Sequence, residues 1–147
     1  MRGELILIGA LMMTSCAESK SAPSDKAPAR PNKLTCEAQF QSGHCVSLSW
    51  IRKPRDQAAG SFTFSLFRES PNEDAKSLDD WTGQIAVVMW MPSMGHGVHE
   101  QVIVERVSPG LYRATNVHVS MRGAWEVRIQ LKDGDEVKHQ AIIPITF

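Results

Sequence analysis

The chain has 147 residues carrying 16 basic and 16 acidic side chains, a formal net charge of zero. That length is one domain's worth of sequence, and 42% hydrophobic residues can bury a core, which argues against wholesale disorder. Charge balance removes the footprint a nucleic-acid backbone selects, so no nucleic-acid partner is expected. No apolar run reaches the ~20 residues of a membrane-spanning helix.

Residues 1–15 read as an export signal. Arg2 is the lone positive charge, and residues 5–13 (LILIGALMM) have the length of a signal h-region. Thr14 and Ser15 then lead into Cys16, an arrangement that resembles a bacterial lipobox, in which the cysteine is acylated and becomes the new N-terminus. Glu4 and Met13 depart from the usual pattern, and an ordinary cleaved signal or a short uncleaved anchor is the alternative. Ala17, rather than aspartate, follows the cysteine; by resemblance to Gram-negative lipoproteins this implies the periplasmic face of the outer membrane, with the lipid anchor as the membrane contact.

Residues 16–33 are rich in Ser, Ala, Pro and Lys, lack hydrophobic periodicity and read as a disordered tether with a slight positive charge. The domain is expected over residues 34–147, which hold 11 basic and 13 acidic side chains. Three cysteines are an odd number, but lipidation of Cys16 leaves Cys36 and Cys45 as a pair. In an exported protein such a pair is expected to form a disulfide. The competing reading, a thiol pair with His44 as a metal or redox site, has no CxxC spacing behind it.

From Leu34 on, period-two alternation replaces any helical period. Val46, Leu48 and Trp50 alternate with serines, Phe62, Phe64 and Leu66 with Thr63 and Ser65, and Trp125, Val127, Ile129 and Leu131 with polar residues. Each set predicts a strand with one face on the core. Ala141, Ile143, Ile145 and Phe147 predict a last strand, which Pro144 places at an edge. Residues 85–91 (IAVVMWM) are apolar on both faces, the pattern of a central strand covered on each side. Ser108-Pro109-Gly110 and Asp133-Gly134-Asp135 are hairpin connections. Seven or eight strands at this spacing predict an all-β, immunoglobulin-like antiparallel sandwich. Residues 51–60 and 69–84 are long for turns. The second carries Glu69, Glu73, Asp74, Asp79 and Asp80 and reads as a solvated acidic loop, with a hard-cation site as the lesser possibility.

The informative stretch is Met89-Trp90-Met91-Pro92-Ser93-Met94-Gly95-His96-Gly97-Val98-His99, where three methionines and two histidines crowd into one loop. Thioether and imidazole together suit copper as Cu(I). Pro92, Gly95 and Gly97 shape a turn that can bring Met91, Met94, His96 and His99 together, with Met121 as a contributor from a second loop. A purely structural reading stands beside it: Met89 and Met91 continue the strand into the core, Met94 plugs the sandwich end, and His96 bonds a backbone carbonyl. Pleat parity sends His118 and Met121 to opposite faces, while His44 and His139 are expected to face solvent.

Three segments carry a family resemblance: Trp90-Met91-Pro92-Ser93-Met94-Gly95-His96-Gly97, then Gly110-Leu111-Tyr112-Arg113, then Ser120-Met121-Arg122-Gly123-Ala124-Trp125-Glu126-Val127-Arg128-Ile129-Gln130. Together they resemble the YtkA-like/FixH-like domain over residues 84–145. The resemblance implies a small immunoglobulin-like envelope domain associated with copper handling or oxidase maturation. It carries Met91, Met94, His96 and Met121 over as ligands. Arg122 departs from the family's proline and sets a fixed positive charge beside Met121. FixH-type relatives also carry a membrane helix that has no counterpart here.

No nucleophile elbow, P-loop, dinucleotide fingerprint or zinc-protease motif is present, and Ser93 and Ser120 lack the elbow a hydrolase needs. The chain is therefore expected not to be an enzyme. The leading expectation is a monomeric, lipid-anchored envelope domain that binds copper as chaperone or buffer and meets an envelope copper or oxidase-assembly protein. The rival is a metal-free interaction module whose Met-Pro-Ser-Met-Gly-His-Gly loop is only a structural corner.

Overall fold

The computed structural model describes residues 34–55, 58–70 and 76–147. The export signal (1–15), the tether with Cys16 (16–33) and two members of the acidic loop, Glu73 and Asp74, lie outside the described residues. Among the described residues there are nine strands and no helix: β1 (Ala38–Gln39), β2 (His44–Arg52), β3 (Gly60–Arg68), β4 (Gln84–Met91), β5 (His96–Gly97), β6 (Ile103–Ser108), β7 (Leu111–Val117), β8 (Ala124–Asp133) and β9 (Glu136–Thr146). They form two antiparallel sheets, β1-β2-β3-β7-β6 and β5-β4-β8-β9. Setting the two-residue β1 aside, this is the ABED/C′CFG order of an immunoglobulin-type sandwich. The count exceeds seven or eight because β1 and β5 each add a two-residue edge.

Strand β8 shows why the pattern folds this way. Trp125, Val127, Ile129 and Leu131 are all essentially inaccessible, while the intervening residues are half-exposed. They meet Phe62, Phe64 and Leu66 of β3, and Tyr112 and Ala114 of β7, in one core. Fully burying each large apolar side chain stabilises the fold by roughly 1.5–3 kcal/mol. Strand β9 lies at the sheet edge, with Pro144 opposite Glu126 and facing away from the core, as its sequence predicts.

Two expectations about coverage are exchanged. Strand β3, read as half-buried, is covered on both faces: Thr63, Ser65 and Phe67 point away from the core yet are buried. Phe67 is sealed by the Lys76 ammonium 5.6 Å above its ring, by a bridge to Leu78 and by Cys45, its register partner. Strand β4, read as covered on both faces, buries only Val87, Met89 and Met91. Its outer face is half-exposed, and there the Arg128 guanidinium lies 4.4 Å from the Trp90 ring in a cation–π contact. Within its sheet β4 pairs with β8 on one side and with the short β5 on the other.

The crossover between the sheets is clamped by two of its acids, Asp79 and Asp80, which for these two corrects the reading of a merely solvated loop. The Asp79 carboxylate accepts from Arg68 Nε (2.7 Å) and lies 3.0 Å from His44 Nε2. Asp80 receives Arg106 Nη2 at 2.6 Å, the backbone N–H of Gly110 at 3.1 Å and the hydroxyl of Tyr112. Trp81 then donates its indole N–H to the Lys132 carbonyl in the opposite sheet. His44, expected in solvent, is buried and held between Ser42 and Asp79. His139 is only part-exposed, its ring set edge-on to Trp81.

Cys36 and Cys45 are joined in a disulfide that ties the approach to β1 onto β2. Cys36→Ala/Cys45→Ala should lower the urea-unfolding free energy by about 2–3 kcal/mol, the value for so short a closed loop; no change in the midpoint would assign the joint no role. The Arg106 guanidinium, with Tyr112 and the Gly110 N–H, holds the Asp80 carboxyl down from 3.8 to about 2, against a desolvation that raises it. A depressed carboxyl adds stability above its unfolded value, and that increment is lost as pH falls through the folded one. The increment therefore disappears between about pH 4 and pH 2. Asp80→Ala should cost about 2 kcal/mol at neutral pH and flatten the acid-unfolding curve in that window, read by far-UV circular dichroism.

Candidate metal centre

The methionine–histidine loop is the connection of the β4–β5 hairpin. Its register pairs Trp90 with Gly97 and Met91 with His96, so the turn proper is Pro92-Ser93-Met94-Gly95. The Met91 carbonyl closes it by accepting the N–H groups of Met94 (3.1 Å) and Gly95 (3.0 Å), and Gly95 takes the left-handed conformation at φ 69°. Directly opposed residues share a face of the sheet. His96 therefore sits on the same face as Met91, the face that further back along β4 covers the core with Met89 and Val87.

These side chains differ sharply in access. Met91 is only 6% exposed and belongs to the core, whereas Met94, at the turn's tip, is 53% exposed. His96 is exposed, and its Nδ1 lies 2.9 Å from the Gly97 carbonyl. A carbonyl only accepts, so Nδ1 carries the proton and neutral His96 offers its lone pair at Nε2. His99 is exposed in the bend beyond the β4–β5 ladder.

The second loop, residues 118–123, reaches the same end of the sandwich. It leads into β8, whose first residues pair with the end of β4. The buried Trp125 indole donates to the Met121 carbonyl at 3.0 Å, fixing the loop's backbone, while the Met121 side chain is 45% exposed. Gly123 adopts φ 145°, and a Cβ there would stand 2.9 Å from the Met91 methyl, so Met91 packs directly beneath this loop. Strand β7 ends at Val117, before His118 and Met121, so strand parity does not govern these two residues. His118 Nε2 donates to Asn116 Oδ1 (2.9 Å), because the Asn116 amide is already directed at the Gln101 carbonyl.

Beside Met121 opens a groove of about 1050 Å³ that the sequence did not disclose. Lys53, Arg55 and Arg122 contribute charge to it, and Met121 and Phe147 contribute apolar surface. A signal was present in the run Arg52-Lys53-Pro54-Arg55, but its partners come from residues 118–122 and the end of β9, distant in the chain. Among the described residues, one group of His, Cys, Asp and Glu has metal-ligand spacing, Cys36, Cys45 and Glu69, and its sulfurs are consumed by the disulfide. Glu69, Asp79 and Asp80 form no such cluster with one another among the described residues. Cys16, the expected lipidation site, lies outside the described residues.

A family model described as YtkA-like matches residues 48–130, from the middle of β2 to β8, beginning earlier and ending sooner than the 84–145 of the three motifs. No curated protein and no solved structure matches the chain. The match takes in the β4–β5 turn, the 118–123 loop and more than half of the sequence. This chain belongs to the YtkA-like family.

Proposed function

We propose that the protein is a bacterial envelope domain, anchored through a lipid on Cys16 at the periplasmic face of the outer membrane, that binds Cu(I) at this end of the sandwich as a chaperone or buffer. Membership of the YtkA-like family supports the envelope setting. The observation that carries the metal reading is the hairpin register. It sets His96 opposite Met91 with Nδ1 engaged by the Gly97 carbonyl, the arrangement that orients a ligating imidazole through its other nitrogen.

The donor set fits a soft monovalent ion. Met94 and Met121 expose thioethers, His96 offers Nε2, and His99 is free to approach from the following bend. Thioethers need no deprotonation and survive in an oxidising compartment, where free thiolates would be consumed. Met91, being buried, contributes by supporting the 118–123 loop through Gly123, and it becomes a ligand only if that loop lifts. Exposed ligands on a rigid body allow transfer by exchange to an envelope copper or oxidase-assembly partner. The role is non-enzymatic, and the domain acts as a monomer.

A second reading, a metal-free interaction module, is favoured by two observations: His96 bonds the Gly97 carbonyl, as that reading expects, and Arg122 and Lys53 set positive charge in the groove beside Met121. The two readings separate on titration of the full chain with Cu(I) against a competing chelator. Met94→Leu/His96→Ala/Met121→Leu should weaken binding by about 100-fold, equivalent to about 2.7 kcal/mol. Affinity should also fall on acidification, because imidazole ligates only when neutral. Equal affinity in the triple variant leaves the scaffold reading.

A further inference from the structure

The groove beside Met121 is not needed to hold a copper ion, and its chemistry is that of a different ligand. We propose that it binds a small amphiphilic anion, a carboxylate or phosphate monoester carrying an apolar chain. The side-chain charge lining it is lopsided: Lys53, Arg55 and Arg122 face a single acidic side chain, Glu100. Among the described residues, none of these four takes part in a salt bridge, although Arg68, Arg106, Arg128 and Lys138 all do. Cations left unpaired around a concavity, rather than spread along a flat face, favour an anion of matching size. Guanidinium groups add geometry, since each can hold a carboxylate or phosphate with two parallel hydrogen bonds.

The rest of the lining calls for an apolar body behind that headgroup. Val119, Met121 and Phe147 supply hydrocarbon, thioether and aromatic ring. At about 1050 Å³ the space exceeds what a bare inorganic anion fills and lies at the upper end of small-molecule sites.

The walls are also fixed in advance. Phe147 exchanges backbone hydrogen bonds with Gly123 (3.0 and 3.1 Å) and sets its ring edge-on to Trp50. Pro54 is buried against Gly60, where any Cβ would lie 2.6 Å from the proline ring, so the cationic segment 52–55 is packed down rather than loose. His118 is oriented through Asn116, itself held in a left-handed conformation at φ 58° and bonded to Gln101. A site whose walls are already ordered loses less entropy when it is filled.

The inference does not rest on copper binding, and its test is run with a chelator present. The full chain is titrated with dodecyl phosphate below its micelle concentration, following the fluorescence of Trp50 and Trp125, which touch Phe147 and the Met121 carbonyl. Saturable binding is expected, weakened by added salt. Inorganic phosphate and the uncharged dodecyl maltoside should each bind at least about tenfold more weakly, since each lacks one half of the match. Lys53→Gln/Arg122→Gln should weaken dodecyl phosphate about tenfold; both side chains are exposed, so thermal unfolding should be unaltered. All chains compared share residues 1–33, so that segment cannot produce the difference. Lack of saturation, equal affinity in the double variant, or binding to phosphatidylglycerol vesicles alone would each overturn the proposal.

Discussion

Trp125 performs two tasks that cannot be separated. Its ring fills the core between the sheets, and its indole N–H, which burial would leave without a partner, finds one in the Met121 carbonyl. The strongest packing element in β8 thereby dictates where residues 118–123 run. Gly123 extends the coupling, since the loop can close over Met91 only where no Cβ intervenes. Phe147, bonded to Gly123 through the backbone, ties the end of the β8–β9 pair into the same construction. The end of the sandwich bearing the candidate ligands is thus an outgrowth of the core, and its geometry should be as cooperative as the fold itself.

The opposite end is secured by different physics. There the crossover from β3 to β4 is tied to the first sheet by the charge-assisted hydrogen bonds of Asp79 and Asp80, and to the second by Trp81, which packs against the core and donates its indole N–H to the Lys132 carbonyl. Two of the acids that read as a solvated surface run, Asp79 and Asp80, are consumed internally, while the basic residues near the groove, of which the sequence singles out only Arg122, are left without acidic partners among the described residues. Placement of charge inverted the naive assignment: Asp79 and Asp80 are structural and the cations of the groove are available. Net charge near zero concealed that asymmetry, because it sums over both ends.

Legibility followed the range of the interactions. Strand β8 and both hairpin turns were readable because alternation and Gly/Pro/Asp chemistry are local. Likewise the Cys36–Cys45 bond followed from counting once Cys16 was set aside. The exchange of β3 and β4 was not readable. A run of apolar residues on both faces of β4 does not reveal that its outer face is left half-exposed, nor does Ser65 on β3 reveal that it is buried. His44 fell to the same cause, since its partner Asp79 is 35 residues away. At the site, sequence spacing named the residues of one turn but not their access. Whether Met91 points to core or solvent depends on register, which a one-residue slip would reverse.

That register is where fold and function meet. Because Met91 opposes His96, the face that packs the core along most of β4 continues past the last core layer and emerges at the turn with an imidazole on it. Met91 is the final buried residue on that face and Met94 the first exposed methionine, so a hydrophobic strand becomes a donor-bearing loop within three residues and without change of chemistry: thioether serves both. Leucine would fill the core position as well as methionine but could not ligate, and a charged donor could not approach the core at all. Methionine is therefore the residue type that lets soft donors stand directly against a packed interior. In that position, the Trp125 and Gly123 constraints can hold Met121 nearby at no cost in buried polar groups.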